Sequence, residues 1–337
     1  MKKISSAHII LVFILILQNI LSFGILYSNI NLPAIPLMIL SQLTILLPFI
    51  VYCIIKKKNP LELIRFKKIS IATVILSVII AICSYPVVTC LNLLSMLFVE
   101  NAMVGVMTEV LSKGALLGMM LMAVMPAIVE ETIFRGVVYN TYSKRRPLLG
   151  VFLSAFLFGL MHMNFNQMPY AFFLGIIMAL LMEACDSIIA PMIFHFTLNG
   201  GSTLLSFLSL GASDGMEVSQ AGDFKSMYIE NYKMAMAEAG LEMSEAKINA
   251  MFPMLITIMI IVFVVIALAA LAGVLALVYA VFRINNRKPS EVFKADHSDT
   301  AYIANKKGVM KKNRMIDVPV ILFMGYTFVM CILAALG

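Results

Sequence analysis

Residues 114–143 read GALLGMMLMAVMPAIVEETIFRGVVYNTYS. About 20 predominantly apolar residues suffice to span the hydrocarbon core of a bilayer, and this run exceeds that length before the basic stop at Lys144. It nevertheless carries Glu130, Glu131 and Arg135 in its interior. An ionised side chain at mid-bilayer costs roughly 3 kcal/mol on insertion scales, so intramembrane charges mark functional candidates by default. The stretch therefore predicts a membrane helix that carries chemistry.

The whole chain agrees. Of its 337 residues 61% are hydrophobic and 13% charged, with mean hydropathy +0.97, against roughly 45–50% apolar and about 25% charged in a soluble domain. That composition excludes a soluble enzyme, a disordered chain and a fibrous one. Cys53, Cys83, Cys90, Cys185 and Cys331 are odd in number, widely spaced and mostly within apolar runs, which argues against a disulfide framework and for small core hydrophobes. The net charge of +7 suits a cytosolic leaflet better than nucleic acid, because the basic residues flank apolar segments.

Nine apolar stretches are legible, approximately 8–27, 36–55, 69–98, 114–143, 147–163, 168–186, 188–208, 253–282 and 317–336. Lipid satisfies no open strand edges, and no dyad alternation suggests a barrel. The predicted fold class is all-α, a polytopic transmembrane helical bundle of about nine spans. No internal repeat is visible. With a cytosolic N-terminus, that terminus and the even-numbered gaps together carry 20 of the 25 basic residues, including Lys2, Lys3, Lys56, Lys57, Lys58, Arg65, Lys67, Lys68, Lys144, Arg145, Arg146 and the run from Arg283 to Arg314. Lys113, Lys225, Lys233 and Lys247 fall outside. This is the pattern of a cytosolic N-terminus. The first stretch is too long for a signal-peptide core and lacks a following cleavage site, so it reads as an uncleaved helix.

Four divisions follow: helices 1–3 in 1–113, a core of helices 4–7 in 114–208, an extracytosolic acidic loop in 209–252, and helices 8–9 with a basic cytosolic loop in 253–337. The loop has seven acidic and three basic residues. From Asp223 to Ala250 its Ala, Glu, Met and Lys content predicts short amphipathic helices. It reads either as a substrate cap or as a passive solvated segment, and the passive reading fits better because nothing in it resembles a ligand set.

Helical geometry sorts the charges. Glu131 and Arg135 are four apart and share a face, whereas Glu130 sits about 100° round the helix. Glu131 can pair with Arg135, either to lock helices together or to support a site; Glu130 is the freer carboxylate, placed to activate water. Two of the four histidines also lie in apolar stretches, His162 in Phe158-Gly159-Leu160-Met161-His162 and His195 in His195-Phe196-Thr197-Leu198-Asn199. His195 and Asn199 project from one face and can donate to a developing oxyanion; His162 can polarise a water beside Glu130. Asn164, Asn166 and Gln167 read as a polar turn, and Glu183 and Asp186 as solvated residues at a helix end.

These three pieces, Glu-Glu-x-x-x-Arg at 130–135, Phe-x-x-x-His at 158–162 and His-x-x-x-Asn at 195–199, resemble the motifs of the CPBP family. That family comprises the type II CAAX prenyl endopeptidases of the Ras-converting-enzyme type and related bacteriocin-processing, self-immunity and lysostaphin-resistance-like proteins. The resemblance covers roughly 114–208. It implies a multi-pass intramembrane glutamate-type endopeptidase in which Glu130 activates water together with His162, Glu131 and Arg135 support it, and His195 with Asn199 stabilises the oxyanion. Its partners would be the bilayer and a hydrophobic or lipidated peptide, prenylated CAAX-like substrates among the candidates; short polar connections and absent transit features point to a prokaryotic plasma membrane. No cofactor is expected. A metal-free site ranks above a zinc site, whose ligands would be Glu130, His162 and His195, because no His-Glu-x-x-His helix is present. The competing readings are a transporter with a Glu/His relay and a non-catalytic self-immunity or scaffold protein.

Overall fold

The computed structural model describes residues 6–28, 32–99, 103–144, 146–212, 224–241, 244–294 and 318–336, and among them every regular element is helical. The chain begins with α1 (Ser6–Ser28), α2 (Ala34–Lys56), the single turn α3 (Pro60–Leu63), α4 (Ile71–Met96) and α5 (Met103–Leu111). Local chemistry sets these ends. Lys57 adopts a left-handed conformation and stops α2. The Leu61 N–H donates to Asn59 Oδ1 at 3.0 Å ahead of Pro60, and the Thr73 N–H donates to Ser70 Oγ at 3.2 Å to open α4. Both are side-chain caps that occupy otherwise orphaned N–H groups.

The stretch 114–143 is helical but not one regular α-helix. It runs α6 (Ala115–Met119), a π segment (Met120–Val124), α7 (Met125–Glu131), a second π segment (Thr132–Tyr139) and α8 (Asn140–Ser143). The widened π turns bracket the two glutamates and include Arg135. Such insertions recur at functional sites because they re-aim the side chains that follow. Beyond lie α9 (Pro147–Met161), α10 (Met168–Cys185), α11 (Ile189–Ala212), α12 (Phe224–Glu238), α13 (Glu245–Ile284), a 3-10 turn (Pro289–Phe293) and α14 (Val318–Leu336).

Each of the nine apolar stretches thus contains helix. Five helices, Ala34–Lys56, Ile71–Met96, Ala115–Ser143, Met168–Cys185 and Ala246–Ile284, are long and apolar enough to cross a membrane. Ala7–Ser22, Pro147–Met161 and Val320–Leu333 are shorter apolar helices, while α11 has its apolar character diluted by His195, Thr197, Asn199, Ser202 and Thr203. One boundary differs from the sequence reading by a wide margin. α13 starts at Glu245 rather than 253, so the acidic segment and the eighth stretch share one helix; at about 1.5 Å per residue it is about 60 Å long, twice the hydrocarbon thickness of about 30 Å. The amphipathic helix expected from Asp223 is α12, although residues 213–223 lie outside the described ones, as does most of the basic loop (295–317).

The 114–143 helix is the centre of the packing. Half of its most apolar window is buried, against 11% for Ala246–Ile284. α7 packs against α2 and α11, the second π segment against α9 and α10, and α11 against α4. Ile133, Phe134, Val137 and Val138 join Phe158, Met178, Leu181 and Phe194 in the main core. Large apolar side chains such as Ile54, Ile71, Phe98, Leu205 and Val265 are exposed instead on the periphery, which is the distribution expected when the solvent is lipid.

Candidate active site

Glu131 and Arg135 share a face as their spacing requires, and they pair: Arg135 Nη1 donates to Glu131 Oε1 at 2.9 Å with both side chains fully buried. The same carboxylate oxygen lies 2.9 Å from Nδ1 of His195, brought across by α11. A carboxylate on Nδ1 fixes the hydrogen there and leaves Nε2 pointing away. Asn199 Nδ2 meets that Nε2 at 3.2 Å and also donates to the Met122 carbonyl in the first π segment, at 3.0 Å. Arg135, Glu131, His195 and Asn199 therefore form one continuous chain from α7 through the second π segment to α11.

Phe158 ties the second motif to this chain. Its ring lies beneath the Arg135 guanidinium, with Cζ 4.3 Å from the centroid, and edge-on to both His195, at 5.9 Å between centroids, and His162, at 5.0 Å. A guanidinium over an aromatic face is attracted by the ring quadrupole, more strongly when desolvated. His162, at the end of α9, places Nδ1 2.9 Å from the Phe158 carbonyl. With hydrogen on Nδ1, Nε2 is the nitrogen left to accept.

Glu130 takes a different partner. Gln42 Nε2, from α2, donates to Glu130 Oε1 at 2.8 Å, and among the described residues no hydrogen bond joins Glu130 to His162. Gln42 escaped the sequence reading, although a lone amide within the apolar stretch 36–55 is the signal that would have found it. Tyr85 also went unnoticed; its hydroxyl donates to the Leu198 carbonyl at 2.6 Å and anchors α11 beside Asn199.

Several buried polar atoms of this network have no protein partner: Gln42 Oε1, Glu131 Oε2, Arg135 Nε and Arg135 Nη2. Buried polar atoms are nearly always satisfied, by water if not by protein, so water is the expected partner of these four. It lacks a preformed metal set: among the described residues no three His, Cys, Asp or Glu side chains are arranged to hold an ion, and Glu130, His162 and His195 do not gather as ligands. A separate cavity of about 170 Å3, lined by Glu62, Arg65, Asn140 and Lys144 among others, sits at the Lys144 end of the second π segment and includes none of the motif residues.

The remaining polar residues are structural. Asn166 Nδ2 donates to Ser95 Oγ at 3.1 Å, and Ser95 Oγ donates to the Asn166 carbonyl at 3.1 Å, clasping the 162–167 turn to the end of α4. Glu183 and Asp186 are not simply solvated. Tyr139 donates to Glu183 at 2.6 Å, Arg287 lies 3.3 Å from Glu183, and Asp186 pairs with Arg65 at 3.1 Å and with Lys67. The bends of the chain bring these cations to the end of α10, where water alone was expected.

No curated protein and no solved structure matches the chain. A family model does, and the residues it covers include all three motifs, the buried Glu131–His195 pair and Arg135. Over residues 111–201 the chain matches the family described as Type II CAAX prenyl endopeptidase Rce1-like.

Proposed function

We propose that the protein is an intramembrane glutamate-type endopeptidase that hydrolyses a peptide bond of a hydrophobic or lipidated, CAAX-like substrate. Glu130 takes a proton from water while the water oxygen bonds to the scissile carbonyl carbon, with His162 Nε2 orienting that water. The oxyanion is met by the Asn199 N–H that points at His195 Nε2 in the resting protein. His195, its Nδ1–H held by Glu131, is a second donor in the form that has taken a proton from bulk water on Nε2 before attack, and it keeps that proton through the cycle. Collapse of the tetrahedral intermediate breaks the C–N bond, and Glu130 returns its proton to the leaving amine. Arg135 pairs with Glu131 and keeps it in place. Nine spans and a cytosolic N-terminus, on the charge distribution given above, and a prokaryotic plasma membrane, on the short polar connections, complete the reading.

The observation that carries the proposal is the buried Arg135–Glu131–His195–Asn199 chain, laid against the Phe158 ring that also holds His162. A helix lock needs only the ion pair; an ordered imidazole and amide with unpartnered atoms around them suit a reacting carbonyl. Purified Glu130→Gln protein is expected to keep the wild-type melting temperature and to leave a prenylated hydrophobic peptide uncut. Cleavage at the wild-type rate would remove Glu130 from the reaction.

A further inference from the structure

We infer that Gln42 is a positioning residue for the hydrolytic water, supplied to the site by α2, outside the 111–201 segment that matches the family model. The inference rests on Glu130 being the base.

Three observations combine. Gln42 Nε2 donates to Glu130 Oε1 at 2.8 Å, and it is the only hydrogen bond Glu130 makes through its side chain among the described residues. The amide orientation is dictated by chemistry: reversed, it would set Gln42 Oε1 against a carboxylate oxygen, two acceptors face to face. Second, Gln42 Oε1 is buried with no protein partner, although it belongs to the same rigid amide plane. A buried amide oxygen left without a donor is costly, and the nearest chemistry is that of Glu130. Third, α2 packs against α7 and against both π segments, so the amide is held by helix packing and not by a loop.

A water between these groups has two acceptors in fixed relation. It gives the proton that will leave to Glu130 and points its other hydrogen between Gln42 Oε1 and His162 Nε2, which share it in one bifurcated bond, and this turns a lone pair towards the scissile carbon. During attack the first proton passes to Glu130 and the oxygen bonds to carbon. The second hydrogen stays on that oxygen, still held by Gln42.

The test uses the full-length protein in liposomes with a prenylated hydrophobic reporter peptide. Gln42→Leu removes both polar ends and is expected to lower kcat by about 10- to 100-fold, the scale of a misplaced reacting group, with KM unchanged. Gln42→Glu keeps the shape but faces Glu130 with oxygen. Its rate relative to wild type should rise as pH falls, because only the protonated new carboxyl can donate to Glu130. Wild-type kcat in Gln42→Leu overturns the inference. So does a Gln42→Glu protein whose pH profile parallels that of wild type, whether or not Gln42→Leu folds. Glu130→Gln, run beside them, separates the levels: if it cleaves, the glutamate mechanism itself is lost, whereas an inactive Glu130→Gln with a fully active Gln42→Leu removes only the role given to Gln42.

Discussion

Among the described residues Arg135 is the largest fully buried side chain, and its surroundings show what a charge needs in order to exist there. One nitrogen reaches Glu131, and the guanidinium face lies on Phe158. Removing one member of a buried pair leaves the other uncompensated, at about 3–5 kcal/mol. Arg135→Ala is accordingly expected to lose about that much stability, read as a large fall in melting temperature in detergent; a shift of a degree or two would show that Glu131 has another cation. Arg135→Lys retains the charge but not the planar stacking, and should fall between the two. The pairing of Glu131 with Arg135 was legible from four-residue spacing alone. The pairing of Glu131 with His195 was not, since 64 positions separate them and only the packing of α11 on α7 brings them together.

At the scale of the element, the decisive contact is the crossing of α9 and α10 beside the second π segment. A Cβ on Gly175 would stand 2.8 Å from the Ala155 Cα and 3.1 Å from Arg135 Nη2. The backbone approach there requires a residue without a side chain, beside the guanidinium. Overpacking of this kind typically costs about 1–3 kcal/mol. Gly175→Ala should destabilise by that amount and reduce peptide cleavage more than the lost stability explains, measured by comparing activity at a temperature where both proteins are folded. Unchanged cleavage in a destabilised protein would place Arg135 outside the functional network. The apolar periodicity predicted that 114–143 is helical; it carried no sign that the turns on either side of α7 widen to π, because that choice depends on what the neighbouring helices leave room for.

On the scale of the molecule, positions distant in sequence close over the end of α10. Asp186, in a left-handed conformation just beyond that helix, meets Arg65, Lys67 and Arg287. Burial by itself would raise its pKa; Lys67, Arg65 and Arg287 outweigh that and hold the carboxyl below the ordinary carboxylate range. A depressed folded-state value means that the stabilisation is present above the unfolded carboxyl pKa of about 3.9 and is lost as pH falls through the folded value. Asp186→Asn should therefore lower the melting temperature slightly near neutral pH, by about 0.2–1 kcal/mol for a partly exposed cluster, and the difference from wild type should shrink on acidification. A gap that persists at pH values below both would point to packing instead of charge. Composition and periodicity were enough to give a helical membrane chain, the apolar stretches and the motif residues that lie in them, because those properties depend on local hydrophobicity and on spacing within one helix. Which helices surround which, that α2 reaches Glu130 through Gln42, that Phe158 joins two histidines and an arginine, and that three cations gather on Asp186 depend on contacts between segments. Such contacts are selected by shape and by the need to satisfy buried polar groups across helices, and neither quantity exists until the helices have packed.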